Sequence, residues 1–226
     1  MRIDILTLFP GMFRAVFAES MLKIAQDKEL VELRMHNIRD YSHDKHKCVD
    51  DKPYGGGGGM VLKPEPLFRA VESVDKQDCM VAKKILLTPQ GKTFDQQLAI
   101  DLAQESRLMF ICGRYEGFDE RIRLGIELLE VSIGDYVLTG GEIPAMVMTD
   151  AIVRLIPGVL GGKRSLQCES FMNKMLDYPQ YTRPEVFRGM KVPEILRSGN
   201  HRSIEEWRND KSEKKTEERR PDLLEK

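Results

Sequence analysis

Over residues 1–160, apolar runs of strand length alternate with stretches of helical period. The strand-like runs are 3-IDILTL-8, 30-LVELRMH-36, 84-KILLT-88, 107-RLMFI-111 and 129-LEVSI-133. All are far shorter than the roughly 20 apolar residues of a membrane span. Helical patterns occupy 11–27, 64–75, 94–105, 118–127 and 142–155. In the second of these, Lys63-Pro64 marks the start, and Leu67, Ala70, Val71 and Val74 fall on one face. A strand followed by a helix returns the chain to lay the next strand alongside in the same direction. The expectation is an α/β domain with a mainly parallel sheet.

The alternation stops near residue 157. Pro157, Gly158, Gly161, Gly162, Pro179, Pro184 and Gly189 punctuate the next thirty-odd positions, which read as irregular. A short helix is expected after Val192-Pro193, then a longer one from Ser203 to Arg220, where Ile204 and Trp207 begin a thin apolar stripe. The division expected is an α/β domain over 1–160, an interdomain linker over 161–170 and a small all-helical domain over 171–226. Charge follows this division within a net charge of −1: 20 Lys and Arg against 24 Asp and Glu over 1–160, but 15 against 12 over 161–226. The C-terminal part is thus the one suited to lie against phosphates.

Several functions are disfavoured by what the chain carries. Cys48, Cys79, Cys112 and Cys168 form no CxxC pair, so neither a zinc site nor a disulfide framework is indicated. His43-Asp44-Lys45-His46 reads as a solvated loop, and no metal site is expected. The N-terminus meets Asp4 before any long apolar stretch, which argues against a secretory signal; the widely spaced cysteines fit a reducing cytoplasm, and the short apolar runs predict no membrane partner. The run Gly55–Gly59 is followed by Met60-Val61-Leu62 where a phosphate loop needs Lys and Ser or Thr. It remains either a mobile loop or a lid that orders on substrate.

Three glycine-bearing turns each follow a candidate strand: 88-TPQG-91, 112-CGRYEGFDER-121 and 133-IGDYVLTGGEIP-144. Ligands of parallel α/β sheets collect beyond the carboxyl ends of the strands. Glycine admits a flat ligand close to the backbone, and Tyr115 and Tyr136 offer apolar walls. None of the turns has GxGxxG spacing, so a dinucleotide site is not indicated, but together they point to a small-molecule pocket.

The ordered series 4-DILTLFPGMF-13, 44-DKHKCVDDKPYGGGGGM-60, 88-TPQG-91, 113-GRYEGFDER-121, 133-IGDYVLTGGE-142, 157-PGVLG-161 and 181-YTRPEVFRG-189 resembles the bacterial tRNA (guanine-N1)-methyltransferases. The likeness runs over nearly the whole chain. It implies a SPOUT domain with a deep trefoil knot, S-adenosylmethionine as cofactor, and methylation of N1 of the guanosine at tRNA position 37. It also implies a homodimer whose active sites draw on both chains, acting on tRNA and not DNA.

By the same resemblance the donor is held by Gly113, Ile133, Gly134, Asp135, Tyr136, Val137 and Leu138, with Pro89, Tyr115, Glu116, Gly117, Gly140 and Gly141 as neighbours. Guanine N1 carries a proton at neutral pH, so a base must remove it while a cation stabilises charge growing on O6. The resemblance assigns these roles to Glu169 and Arg154. The family's element is Asp-Ser-Phe; here it reads Glu169-Ser170-Phe171, and Asp177 is a second candidate base. Arg197, His201, Arg202, Arg208, Lys211, Lys214 and Lys215 would hold the anticodon arm by its phosphates.

Overall fold

A computed structural model describes residues 1–161 and 169–225. Most of the expected linker, residues 162–168, therefore lies outside the described residues. The chain forms two compact units, Met1–Gly161 and Gly162–Lys226.

In the first unit the strands are β1 (Arg2–Thr7), β2 (Glu32–Asn37), β3 (Asp50–Asp51), β4 (Val61–Leu62), β5 (Lys83–Thr93), β6 (Arg107–Cys112) and β7 (Leu129–Ser132). The helices are α1 (Arg14–Phe17), α2 (Ser20–Asp27), α3 (Pro64–Asp75), α4 (Gln96–Ala103), α5 (Arg121–Gly125) and α6 (Glu142–Val153). Five strands make one sheet in the order β2-β1-β6-β5-β7, every neighbouring pair parallel, and β3 and β4 form a separate antiparallel pair. The mixed α/β architecture with a parallel sheet is the one the alternation predicts.

Strands β1 and β6 are buried throughout, as expected of central strands covered on both faces. Successive side chains divide between two cores. Ile3, Ile5, Leu108 and Phe110 pack with Ala145, Met148 and Ile152 of α6. Leu6, Met109 and Ile111 pack with Leu67, Ala70, Val71 and Val74, the face predicted for α3.

Two expected helices are shorter than their periodicity suggests. The pattern over 11–27 becomes a 3-10 turn, Pro10–Phe13, followed by α1 and α2, and Ser20 at φ 52° marks the break between the two helices. The pattern over 118–127 keeps only the five residues of α5. Conversely, the strand expected over 84–88 runs on to Thr93. Both Leu87 and Lys92 pair with Val131, so Thr88–Gly91 bulges out of the ladder.

A buried charged cluster ties the α3 side of the sheet together. Asp4 accepts from Arg2 Nη2 at 2.8 Å and from Arg107 Nε at 2.9 Å, and its carboxylate meets His36 Nε2 at 2.8 Å. The remaining nitrogens of Arg107 donate to the carbonyls of Val74 and Met80 at 2.8 and 2.9 Å. Each buried charge therefore has a partner, which is the condition for burying it at all.

The second unit is not all-helical among its described residues. It holds a β-hairpin of β8 (Val186–Phe187) and β9 (Met190–Lys191), a 3-10 turn at Glu194–Arg197, and α7 (His201–Arg219). Valine and phenylalanine favour strand, and Arg188-Gly189 supplies a two-residue turn that a search for helical period passes over. Asn200 caps α7, accepting from the Ser203 amide at 3.3 Å. The helix then anchors the chain before it: Thr216 Oγ1 accepts from the Leu176 amide at 2.9 Å, and Lys215 meets Asp177 at 3.1 Å. No helix of the described residues is long and apolar enough to cross a membrane.

Candidate active site

Strands β6 and β7 each release a glycine-bearing segment at the carboxyl end, and the bulge within β5 lies level with both because Leu87 pairs with Cys112 and with Val131. The bulge Thr88–Gly91 rises from β5, Gly113–Asp119 follows β6, and Ile133–Gly141 leads from β7 into α6. Two of these segments meet where the Gly141 amide donates to the Gly113 carbonyl at 2.8 Å. A Cβ on Gly141 would stand 2.7 Å from the Cys112 Cα, so no other residue brings the start of α6 this close to β6.

Together the segments enclose a cleft of ≈ 450 Å³, within the range of about 300–1,000 Å³ typical of small-molecule sites. Pro89, Gly113, Tyr115, Glu116, Gly117, Ile133, Gly134, Tyr136, Val137, Leu138, Gly140 and Gly141 all line it. Asp135 is not among the lining residues and lies exposed. Tyr115 is held at φ 61°, a left-handed conformation unusual for a tyrosine and found where surrounding structure overrides local preference. The Tyr136 hydroxyl donates to the Ile133 carbonyl at 3.2 Å, folding the β7 turn on itself.

The glycine run reaches this cleft at its C-terminal end. The Glu116 amide donates to the Met60 carbonyl at 3.0 Å, and the Leu62 amide to the Gly117 carbonyl at 3.0 Å. A Cβ on Gly59 would stand 2.3 Å from Glu116 Oε1. Gly55, Gly56 and Gly57 have open space around them, and Tyr54 is fully exposed.

Beneath the cleft lies a carboxylate that the motif reading passed over. Glu142, the first residue of α6, is 1% exposed and accepts from the Thr7 hydroxyl at 2.8 Å. Its other oxygen makes no hydrogen bond and sits 3.7 Å from Nη1 of the cleft-lining Arg114. The Arg114 guanidinium lies 4.7 Å over the Phe9 ring. Burial, with Glu142 nearby, pushes the Cys112 thiol well above the usual thiol range. The sequence signal was available, since Arg114 stands in 113-GRYEGFDER-121 and Glu142 in 133-IGDYVLTGGE-142, but motif position alone does not reveal that they meet.

The residues assigned to the chemistry are not all brought to this cleft. Arg154 caps the C-terminal end of α6, its amide directed to the Asp150 carbonyl at 3.2 Å. Twelve helical residues, about 18 Å of rise, separate it from the end of α6 that borders the cleft. Glu169 belongs to the second unit and is half-buried, with its carbonyl accepting from the Met172 amide at 3.3 Å.

Asp177 is already engaged. Burial raises its carboxyl pKa, but Lys215 and the Ser170 hydroxyl outweigh that and hold it below the ordinary range. A carboxylate so stabilised is a poor proton acceptor. Of the cationic residues expected to meet phosphate, Arg202 pairs with Glu206, Lys211 and Lys214 pair with Asp210, and Arg208 lies 4.8 Å over the Tyr178 ring.

The family described as tRNA (Guanine-1)-methyltransferase TrmD matches residues 1–226 of this chain. The chain is 59% identical over 226 residues to a tRNA (guanine-N(1)-)-methyltransferase of Dehalococcoides mccartyi strain 195, covering 100% of this chain and 91% of that protein. A protein of the same name from Dictyoglomus turgidum is also 59% identical over 226 residues, with the same coverage. One from Bacillus cereus strain AH820 is 57% identical over 225 residues, covering 100% of this chain and 92% of its own length. On the match over its whole length, the chain belongs to the tRNA (guanine-1)-methyltransferase TrmD family.

Proposed function

We propose that this enzyme transfers a methyl group from S-adenosylmethionine to N1 of guanosine 37 in tRNA, working in the cytoplasm as a homodimer. The observation that carries the reading is the convergence of three glycine-bearing segments on one cleft, lined by Gly113, Gly117, Gly134, Gly140 and Gly141 beside Tyr115 and Tyr136. The residues fit such a donor. A Cβ placed on Gly117 would meet nothing, so the cleft is open at that wall, and Tyr115 and Tyr136 flank it for a flat base. In this reading the same three turns are the loops of a trefoil knot.

S-adenosylmethionine, when bound, supplies a methyl group already activated on a sulfonium. The chain's residues have three remaining tasks. Backbone groups of Gly113–Gly117 and Ile133–Gly141 orient the donor, and correct alignment of two reactants is worth up to about 7–11 kcal/mol. Glu169 takes the proton from guanine N1, freeing the lone pair in the ring plane. Arg154 offsets the negative charge that develops on O6.

A second copy supplies what one chain lacks. Arg154 stands at the far end of α6 from its own cleft, which suits a residue contributed to the partner's site. Met12, Val16, Ile143 and Val147, on the Pro10–Phe17 segment and α6, are partly exposed apolar residues that a symmetric contact would cover. Residues 171–226 then hold the anticodon arm, with basic side chains on α7 taking the phosphates.

The test is nucleoside analysis of tRNA incubated with the protein and isotopically labelled donor. The reading requires label in 1-methylguanosine, absent when guanosine 37 is replaced. Label at another base, or none, removes the assignment.

A further inference from the structure

The hairpin of β8 and β9 has its apolar side chains in solvent: Val186 is 47% exposed, Phe187 54% and Met190 64%. A lone two-stranded ribbon is marginal in water, and one that leaves its apolar side chains this exposed has little reason to keep such residues. Register pairs Phe187 with Met190 and Val186 with Lys191, so Phe187 and Met190 share one face. The Arg188 guanidinium carbon lies 5.2 Å from the Phe187 ring centroid.

The turn itself is built against local preference. Arg188 and Gly189 have φ of 51° and 80°, the sign pattern of a type I′ turn, whose first central position asparagine or glycine fills at least cost. Arginine there is strained, and strain at an exposed tip calls for a function that repays it. Lys and Arg outnumber Asp and Glu five to two over residues 178–202, and one of those acidic groups, Glu185, is paired with Arg197 at 2.8 Å.

We propose that this hairpin is an RNA-contact element, seating Phe187 and Arg188 on an unpaired nucleotide of the tRNA. An aromatic ring beside a guanidinium is the combination that receives an unstacked base, both planes stacking while the charge meets phosphate. A second copy of the chain suits the surface less well, because a symmetric contact would set like charges against each other. The inference rests on tRNA being the substrate and adds a site outside the cleft and outside α7.

The test uses Arg188→Asn, Phe187→Ala and Phe187→Trp in the full chain. Asparagine is the better turn residue, so a merely structural role predicts that Arg188→Asn is neutral or stabilising with unchanged tRNA affinity. The proposal expects the same unchanged or higher thermal midpoint and unchanged donor affinity, but tRNA binding weakened about tenfold. Phe187→Ala should weaken it to a similar extent and Phe187→Trp should restore it. Affinities of the first two variants within about twofold of the parent would overturn the proposal. So would a fall in sedimentation coefficient on Phe187→Ala, which would assign the hairpin to a contact between chains. The parent reading fails separately, if the unsubstituted protein binds tRNA and transfers nothing.

Discussion

The Thr7 hydroxyl donates to Glu142 at 2.8 Å across 135 positions of sequence, joining the end of the first strand to the start of the helix that borders the cleft. The Phe9 amide donates to the same hydroxyl at 2.9 Å, and the Phe9 ring lies under Arg114. Cleft floor and cleft wall are thus one connected unit. Replacing Thr7 with valine keeps the shape and leaves a buried carboxylate oxygen without its donor, at a cost of about 1–3 kcal/mol. Urea unfolding of the Thr7→Val variant measures this directly; an unchanged midpoint would show the bond to be dispensable.

Acid should unfold the first unit through Asp4. Burial raises the carboxyl pKa, but hydrogen bonds from His36, Arg2 and Arg107 more than offset it and leave the group below its ordinary value of 3.8. A carboxyl with a depressed folded pKa contributes stability that is fully present above 3.8 and disappears as pH falls through the lowered value. Asp4→Asn should flatten the pH dependence of stability in that acid range. At pH 7 it should also cost about 3–5 kcal/mol, because Arg107 is left buried beside a neutral group. Denaturant midpoints from pH 7 down to 2.5 check both parts, and an Asn variant as stable as the parent at pH 7 would refute the second.

Glu169→Gln separates proton removal from RNA binding. The expected result in single-turnover transfer is a rate loss of about 100-fold or more, with tRNA affinity nearly unchanged. Glu169→Asp, which supplies the aspartate that the resemblance expects at this position, should retain activity. Equal losses of rate and affinity in the glutamine variant would make Glu169 a binding residue instead of a base.

The thiols should differ sharply in reactivity. Cys48 and Cys79 are exposed, whereas Cys112 is buried and its thiol is held protonated. Alkylation followed by mass spectrometry should label Cys48 and Cys79 in the native protein and Cys112 only after denaturation. Early labelling of Cys112 would mean that the floor of the cleft opens in solution.

How much of this was legible in sequence depends on the range of the interactions. The sheet was readable because β6 appears as the apolar run Leu108–Cys112 and β1 carries Ile3, Ile5 and Leu6 at strand length, even though the buried Asp4 interrupts it. The face of α3 was readable because Leu67, Ala70, Val71 and Val74 repeat at helical spacing. The turns around Gly113 and Gly134 were conspicuous as glycine punctuation at strand ends. Thr7 with Glu142 and Asp4 with Arg107 were not, since their partners lie 135 and 103 positions away and no local period records the pairing. The β8–β9 hairpin was missed because two-residue strands leave almost no alternation to detect.

Hydrogen–deuterium exchange of the protein with and without S-adenosylmethionine tests most directly whether the strand-end turns hold the donor. Protection is predicted in three separate peptides, spanning 88–91, 113–117 and 133–141, with the hairpin at 186–191 unchanged. Protection confined to other segments, or no change at saturating donor, would contradict the account.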